Sequence, residues 1–188
     1  MAIGPAIRRI FGSSEREISD LYRSIYVDLD AFVDQIRQWV TASNILEIGC
    51  GEGAVTERLA RCFPEACVTG IDITPRVGRL FQGDRTRVNF RQVTVQDFAV
   101  GHRQRFDLLV ACDVMHHIPW NLHREILSHA RMALKPGGNL ILKDWERSRT
   151  LIHLMCYSAD RYITGDRVRY GSAGELRALI AGVFGPAS

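Results

Sequence analysis

The sequence is short of lysine, of long apolar runs and of paired cysteines, and each shortage removes a class of function. Only Lys135 and Lys143 are lysines among 24 basic residues. The others are arginines interspersed with acids, so the net charge of +3 is spread along the chain rather than gathered into the basic stripe of a nucleic-acid binder. No stretch of 18 apolar residues occurs, which leaves no helix able to span a bilayer. Arg8 and Arg9 are not followed by an apolar core region, so a secretory leader is not expected. The cysteines number five, an odd count with no CxxC pair, which argues against a disulfide framework and against a metal site. Buried free thiols in a reducing cytoplasm are the expectation. Repeats and low-complexity segments are also missing.

What remains is an ordinary globular composition, 46% hydrophobic and 24% charged over 188 residues. One domain of that size would bury roughly 70% of its unfolded surface. Residues 15–40 place Ile18, Leu21, Ile25, Leu29, Val33 and Ile36 at helical spacing. They predict one long helix, or two broken near Val27, within a helical cap over residues 1–43. From residue 44 onward strands and helices alternate. Strands are predicted over residues 44–48, 67–71, 88–95, 106–112 and 139–143. Helices are predicted over 54–62, over 75–81 with Thr74 as N-cap, and over 122–134, the last stopped by Pro136-Gly137-Gly138. The strand segments are short and almost continuously apolar, as in parallel strands covered on both faces. The pattern implies a Rossmann-like, doubly wound, mostly parallel α/β sheet flanked by helices. Beyond Lys143, helices are expected at residues 149–163 and at 172–183, the latter capped by Ser172.

The most informative segment is Leu46-Glu47-Ile48-Gly49-Cys50-Gly51-Glu52-Gly53. A strand runs into a glycine-rich turn that opens a helix. Glycine there permits positive φ and close approach of a ligand to the backbone. The pattern also fits a dinucleotide fold. Glu47 separates the two, because a carboxylate at this strand end repels a pyrophosphate and tolerates a sulfonium or ammonium cation. Ala54 and Val55 follow where the third glycine of a dinucleotide loop would stand.

In order and spacing, this segment and four others resemble class I S-adenosylmethionine-dependent methyltransferases. The others are Gly70-Ile71-Asp72, Gln96-Asp97-Phe98, the run from Phe106 to Ile118 (FDLLVACDVMHHI) and the run from Leu134 to Leu142 (LKPGGNLIL). The resemblance covers residues 44 to 143. It implies that residues 44–188 form an S-adenosylmethionine-binding domain. The backbone of Gly49, Cys50, Gly51 and Gly53 would cradle the methionine part, with Glu47 near its ammonium. Asp72 would accept the ribose hydroxyls and Ile73 would pack on adenine. Asp97 would receive the adenine amino group, with Phe98 lining the ring, and Ala111 with Cys112 would meet the methionine portion.

For catalysis the candidates are Asp113 and His116 after the fourth strand and Asp144 after the fifth, with His117 read as structural. Methyl transfer from a sulfonium needs alignment first, and a base only where the acceptor carries a tightly held proton. No metal is expected. Asp144-Trp145 stands on the rim where α/β proteins bind ligands, and residues 145–170, with His153, Tyr157, Arg161 and Tyr162, read as a substrate lid. The leading expectation is a cytoplasmic enzyme that methylates a small molecule, on oxygen, in secondary or natural-product metabolism. The alternatives are an RNA or protein methyltransferase and a non-catalytic cofactor-binding partner subunit. No membrane association is expected, nucleic acid is disfavoured, and a homodimer is left open. A nicotinamide dehydrogenase is the remaining competitor. Members of the resembled family close with a hairpin that adds strands six and seven. This chain ends near Val183 and Phe184, where strand six is due, so these strands are expected to be missing, through truncation, a short sheet, or completion by a partner.

Overall fold

The computed structural model describes residues 28–146 and 169–185. The expectations for residues 1–27, for most of the lid and for its four named side chains lie outside the described residues. The elements are α1 (Leu29–Trp39), β1 (Asn44–Ile48), α2 (Ala54–Cys62), β2 (Cys67–Asp72), β3 (Val88–Gln92), α3 (Val95–Gly101), β4 (Phe106–Cys112), α4 (His123–Ala133), β5 (Leu134–Lys143) and α5 (Ala173–Phe184). Five strands make one parallel sheet in the order β3-β2-β1-β4-β5. No sixth or seventh strand is present among the described residues.

Side-chain alternation on the central strands builds two cores. Ile45 on β1, with Leu108 and Val110 on β4, faces one layer and meets Val33 and Ile36 of α1 and Leu59 of α2. Leu46 and Ile48, with Leu109 and Ala111, face the other layer and meet Phe98 of α3 and Ile126 and Ala130 of α4. The period of two fixes this division and puts Glu47 on the same side as Ile45, towards α2. Asp28 caps α1, accepting a hydrogen bond from the Ala31 amide at 2.9 Å. Ser172 and Glu175 form a reciprocal capping box on α5.

Three sequence expectations give way to the structure. Residues 75–80 form turns, where a helix over 75–81 is expected. Gly78 takes φ +63°, and the amides of Gly78 and Leu80 donate to the carbonyls of Gly51 (2.9 Å) and Glu52 (3.0 Å) instead of to carbonyls one helical turn back. The third strand stops at Gln92, and residues 95–101, partly read as strand, are α3, capped by Thr94. At β5 the strand starts at Leu134, ahead of Pro136, and its pairing with β4 is irregular between Phe106 and Leu108.

The lower ends of β1, β4 and β5 are tied together by one carboxylate. Asp107 accepts from the amides of Asn44 (2.9 Å) and Ser43 (3.1 Å) and pairs with Lys135 Nζ at 2.6 Å. Burial pushes this carboxyl up, but Lys135 and the two amides outweigh it and hold it below the ordinary value. A folded-state value below the unfolded one means stabilisation that is complete above about pH 4 and fades as pH falls through the folded value. Asp107→Asn is therefore expected to cost about 1 kcal/mol at neutral pH. In thermal melts the gap between parent and variant should close as the pH is lowered below that point.

Candidate active site

The strand order reverses between β1 and β4, and ligands of open α/β sheets bind outside the carboxyl ends of the strands at such a point. A cavity of about 700 Å³ opens there. Its floor is the turn after β1. Gly49 and Cys50 donate their amides to the Ile71 carbonyl at 2.9 and 3.1 Å, which hooks the turn to the end of β2. Gly49 takes φ +73° and Gly51 φ +51°. A Cβ on Gly51 would meet nothing within 4 Å, so the backbone here is bared to the cavity. Gly53, at φ +100°, is the residue from which α2 starts.

Two carboxylates flank this turn. Asp72, the last residue of β2, accepts the Gly51 amide through Oδ2 and the Thr74 amide through Oδ1, both at 2.8 Å. Glu47 is 2% exposed and accepts a hydrogen bond from the Thr56 hydroxyl of α2. Both line the cavity. Their charge is felt by the neighbouring thiols. Burial first, then Glu47 and Asp72, push Cys50 far above its ordinary value. Burial, then Asp113, with Glu47 adding to it, does the same to Cys112, against the lowering pull of Lys143. A thiol pushed up in this way is a poor nucleophile. Among the described residues no lysine or arginine lines the cavity, whereas Glu47, Asp72 and Asp113 do. Such a field suits a cation and opposes a pyrophosphate.

The opposite wall follows β4. Asp113 takes φ +54°, unusual for a residue with a side chain, and its carboxylate holds Lys143 Nζ at 2.6 Å. The same ammonium lies 4.6 Å from the centre of the Trp145 ring. His116 sits in a single 3₁₀ turn (Met115–His117). Its amide donates to Asp144 Oδ2 at 3.0 Å, its ring Nδ1 bonds Asp144 Oδ1, and the ring stacks on Tyr170 at 5.1 Å. Both partners are almost wholly buried. A carboxylate can only accept, so it selects the tautomer with the proton on Nδ1 and makes Nε2 the basic nitrogen.

Of the residues singled out in the sequence, Glu47, Gly49, Cys50, Gly51, Asp72, Ile73, Asp113 and His116 lie on this one cavity. Asp144 stands behind the wall, against His116. Gly53 packs on Phe81 and Phe90, and Ala111 is 3% exposed among the core residues. Asp97 and Phe98 are not among the residues that line this cavity. The Asp97 carboxylate accepts from the Thr94 hydroxyl at 2.7 Å in the cap of α3, and Phe98 is buried against Phe106 and His102. The start of that helix brings Thr94, Val95 and Gln96 to the wall instead, and Ile118, Leu122 and Ile126 complete the apolar side. The signal that could have found them is Thr94-Val95-Gln96-Asp97, a capping sequence that announces a helix at Val95.

Residues 45–138 match the family model described as a methyltransferase domain. A ubiquinone biosynthesis O-methyltransferase of Hydrogenovibrio crunogenus is 29% identical over 81% of this chain and 67% of its own length. One of the same name from Alkalilimnicola ehrlichii is 32% identical over 62% of this chain and 47% of its own. The chain thus spans about half to two thirds of these relatives. Among solved structures, 1,6-didemethyltoxoflavin-N1-methyltransferase of Burkholderia thailandensis, bound to 1,6-didemethyltoxoflavin and S-adenosylhomocysteine, superposes with TM-score 0.65 at 20% identity. The match covers 94% of this chain and 75% of that one. Human N-acetylserotonin methyltransferase in complex with S-adenosylmethionine superposes with TM-score 0.61 at 16% identity, over 97% and 49%. At these identities the likeness speaks to the fold.

Proposed function

This chain belongs to the class I S-adenosylmethionine-dependent methyltransferase family, and from that premise we propose that it transfers a methyl group to a small-molecule acceptor, with oxygen as the attacked atom. The observation that carries the reading is a single cavity that joins a bared glycine turn, two flanking carboxylates and a histidine oriented by a buried aspartate. S-adenosylmethionine, when bound, supplies an electrophilic methyl on a sulfonium that leaves readily.

The residues present fit that cofactor. At Gly51 the turn has no side chain in the way of a ligand, since nothing lies within 4 Å of where a Cβ would stand. Asp72 spends one hydrogen bond per oxygen on backbone amides and keeps lone pairs for two hydroxyls. Glu47 provides negative charge for an ammonium group, and exposed Ile73 gives an apolar lip for an aromatic base, with Val95 and Gln96 beside it. His116 then has the role of proton acceptor for an acceptor hydroxyl, and Asp144 holds its ring and steadies the imidazolium that forms. Asp113 is the residue that anchors Lys143 beside Trp145. Expected placement in secondary metabolism remains part of this proposal; the curated relatives carry the name of ubiquinone biosynthesis. The carboxylates that line the cavity, with no lysine or arginine beside them among the described residues, support a small uncharged or cationic ligand.

Replacing Asp72 with alanine removes a charged acceptor from the ribose end. Hydrogen bonds to charged groups contribute about 1.5–3 kcal/mol, so affinity for S-adenosylhomocysteine by calorimetry should fall about 10- to 100-fold. Unchanged affinity would remove Asp72 from the site. The reaction itself is tested by following a labelled methyl from S-adenosylmethionine into a panel of hydroxylated aromatic and aliphatic acceptors, and label appearing only on amines would overturn the choice of oxygen.

A further inference from the structure

His123 opens α4, and the reading above gives it no role. It is 1% exposed. Its Nε2 stands 2.9 Å from the carbonyl oxygen of Met115 and 3.0 Å from that of Ile118. Carbonyls only accept, so Nε2 carries the proton and donates to both. Nδ1 is then the unprotonated nitrogen, and it is buried with no hydrogen-bond partner among the described residues. A buried acceptor left unsatisfied is unfavourable, and an apolar side chain of similar volume would avoid it. What the position gains from histidine is its Nε2 proton.

The two carbonyls bracket the turn that carries His116 and His117. Met115 is the first residue of that turn and Ile118 the residue that follows it. Met115, 2% exposed, accepts as well from the Ile118 amide at 3.0 Å, closing the turn on itself. The ring of Trp120 packs on His123 with centres 4.7 Å apart, which locks the imidazole from its other side. His116 is held independently through Asp144 and through the Arg169 amide, which donates to its carbonyl at 3.1 Å. The turn therefore hangs from α4 at both ends while Asp144 fixes its middle.

We propose that His123 is a positioning residue for the reaction: its single Nε2 proton fastens both ends of the turn to α4 and so sets the ring of His116 against Asp144 and into the cavity. The inference rests on the reading of His116 as the group that acts on the acceptor. A small displacement of a catalytic ring is enough to lower turnover steeply without touching cofactor affinity.

The test compares H123L, which removes the donor, with H123Q, whose side-chain amide places an N–H near the position of Nε2. Two readouts are taken. One is the kcat and KM for S-adenosylmethionine. The other is the low-field proton resonance of the His116 Nδ1–H bound to Asp144, which reports ring position whether or not the protein turns over. H123L should lower kcat about tenfold or more, with KM within about twofold, and shift or broaden that resonance, while H123Q restores both. A resonance and kcat in H123L like those of the parent overturn the proposal. So does a folded H123Q in which both remain displaced. Should H123L fail to fold, H123Q decides alone: parental resonance and kcat support the assignment, and a displaced resonance with lowered kcat refutes it. A parent protein that transfers no methyl group, yet whose His116 resonance moves in H123L and returns in H123Q, would refute the functional reading and leave the positioning role standing.

Discussion

Gly49→Ala is expected to lose both stability and cofactor affinity. Two independent penalties meet at this residue. Its φ of +73° is costly for any residue with a Cβ, by about 1–2 kcal/mol. The added methyl would also stand 2.3 Å from Cγ2 of Val114, and overpacking of this kind costs about 1–3 kcal/mol more. Val114 lines the cavity directly before the turn of His116, so relieving the clash displaces the catalytic wall as well. The control is Gly51→Ala. Gly51 shares the strained backbone, at φ +51°, but its Cβ would point into open space. Gly51→Ala should therefore lose only the backbone term in stability while its methyl obstructs the ligand. Chemical denaturation and calorimetry on the two variants separate these effects. Equal losses in both would show that the turn has no preferred face for a ligand.

The second large effect is expected at His116 and Asp144. General-base catalysis contributes about 10²- to 10⁴-fold, so His116→Ala should lower kcat by that range with cofactor affinity altered only a few-fold. Asp144→Asn keeps the shape but loses the charge that selects the Nδ1–H tautomer and steadies the imidazolium, so it should lower kcat by a similar factor. The two losses should not add, because the residues act as one unit through the Nδ1 to Oδ1 bond. Steady-state kinetics of the two single variants and the double variant settle this. Turnover that survives His116→Ala would assign the reaction to alignment alone, with no base.

The sheet was legible in the sequence because burial on both faces leaves no alternation to confuse with a helix. Helix α2 and strands β1 and β4 occur at the residues expected, and Ser172 caps α5. The failures share a physical cause. Residues 75–81 look helical by local signals, but Gly78 and Leu80 give their amides to the turn at Gly51 and Glu52, about 27 residues away. No local pattern records that exchange. Helix α3 was hidden by Val93 and Val95, strand-like residues on either side of its cap. At the site, His116 and Asp144 each stood out alone, 28 residues apart in sequence. Their pairing follows from the register of β4 on β5, which sets Cys112 opposite Lys143 and so brings the residues after both strands together. The carboxylate of Asp97 takes part in the cap of that same helix, a contact that a strand over residues 88–95 does not foresee.

Direct calorimetric titration of the purified chain with S-adenosylmethionine, repeated with NAD in the cell, decides whether the cavity is built for a cation. One molecule bound per chain, with a heat that NAD does not diminish, is the outcome demanded by a pocket lined, among the described residues, with carboxylates and no lysine or arginine. Displacement by NAD, or no binding of the sulfonium at all, would contradict it.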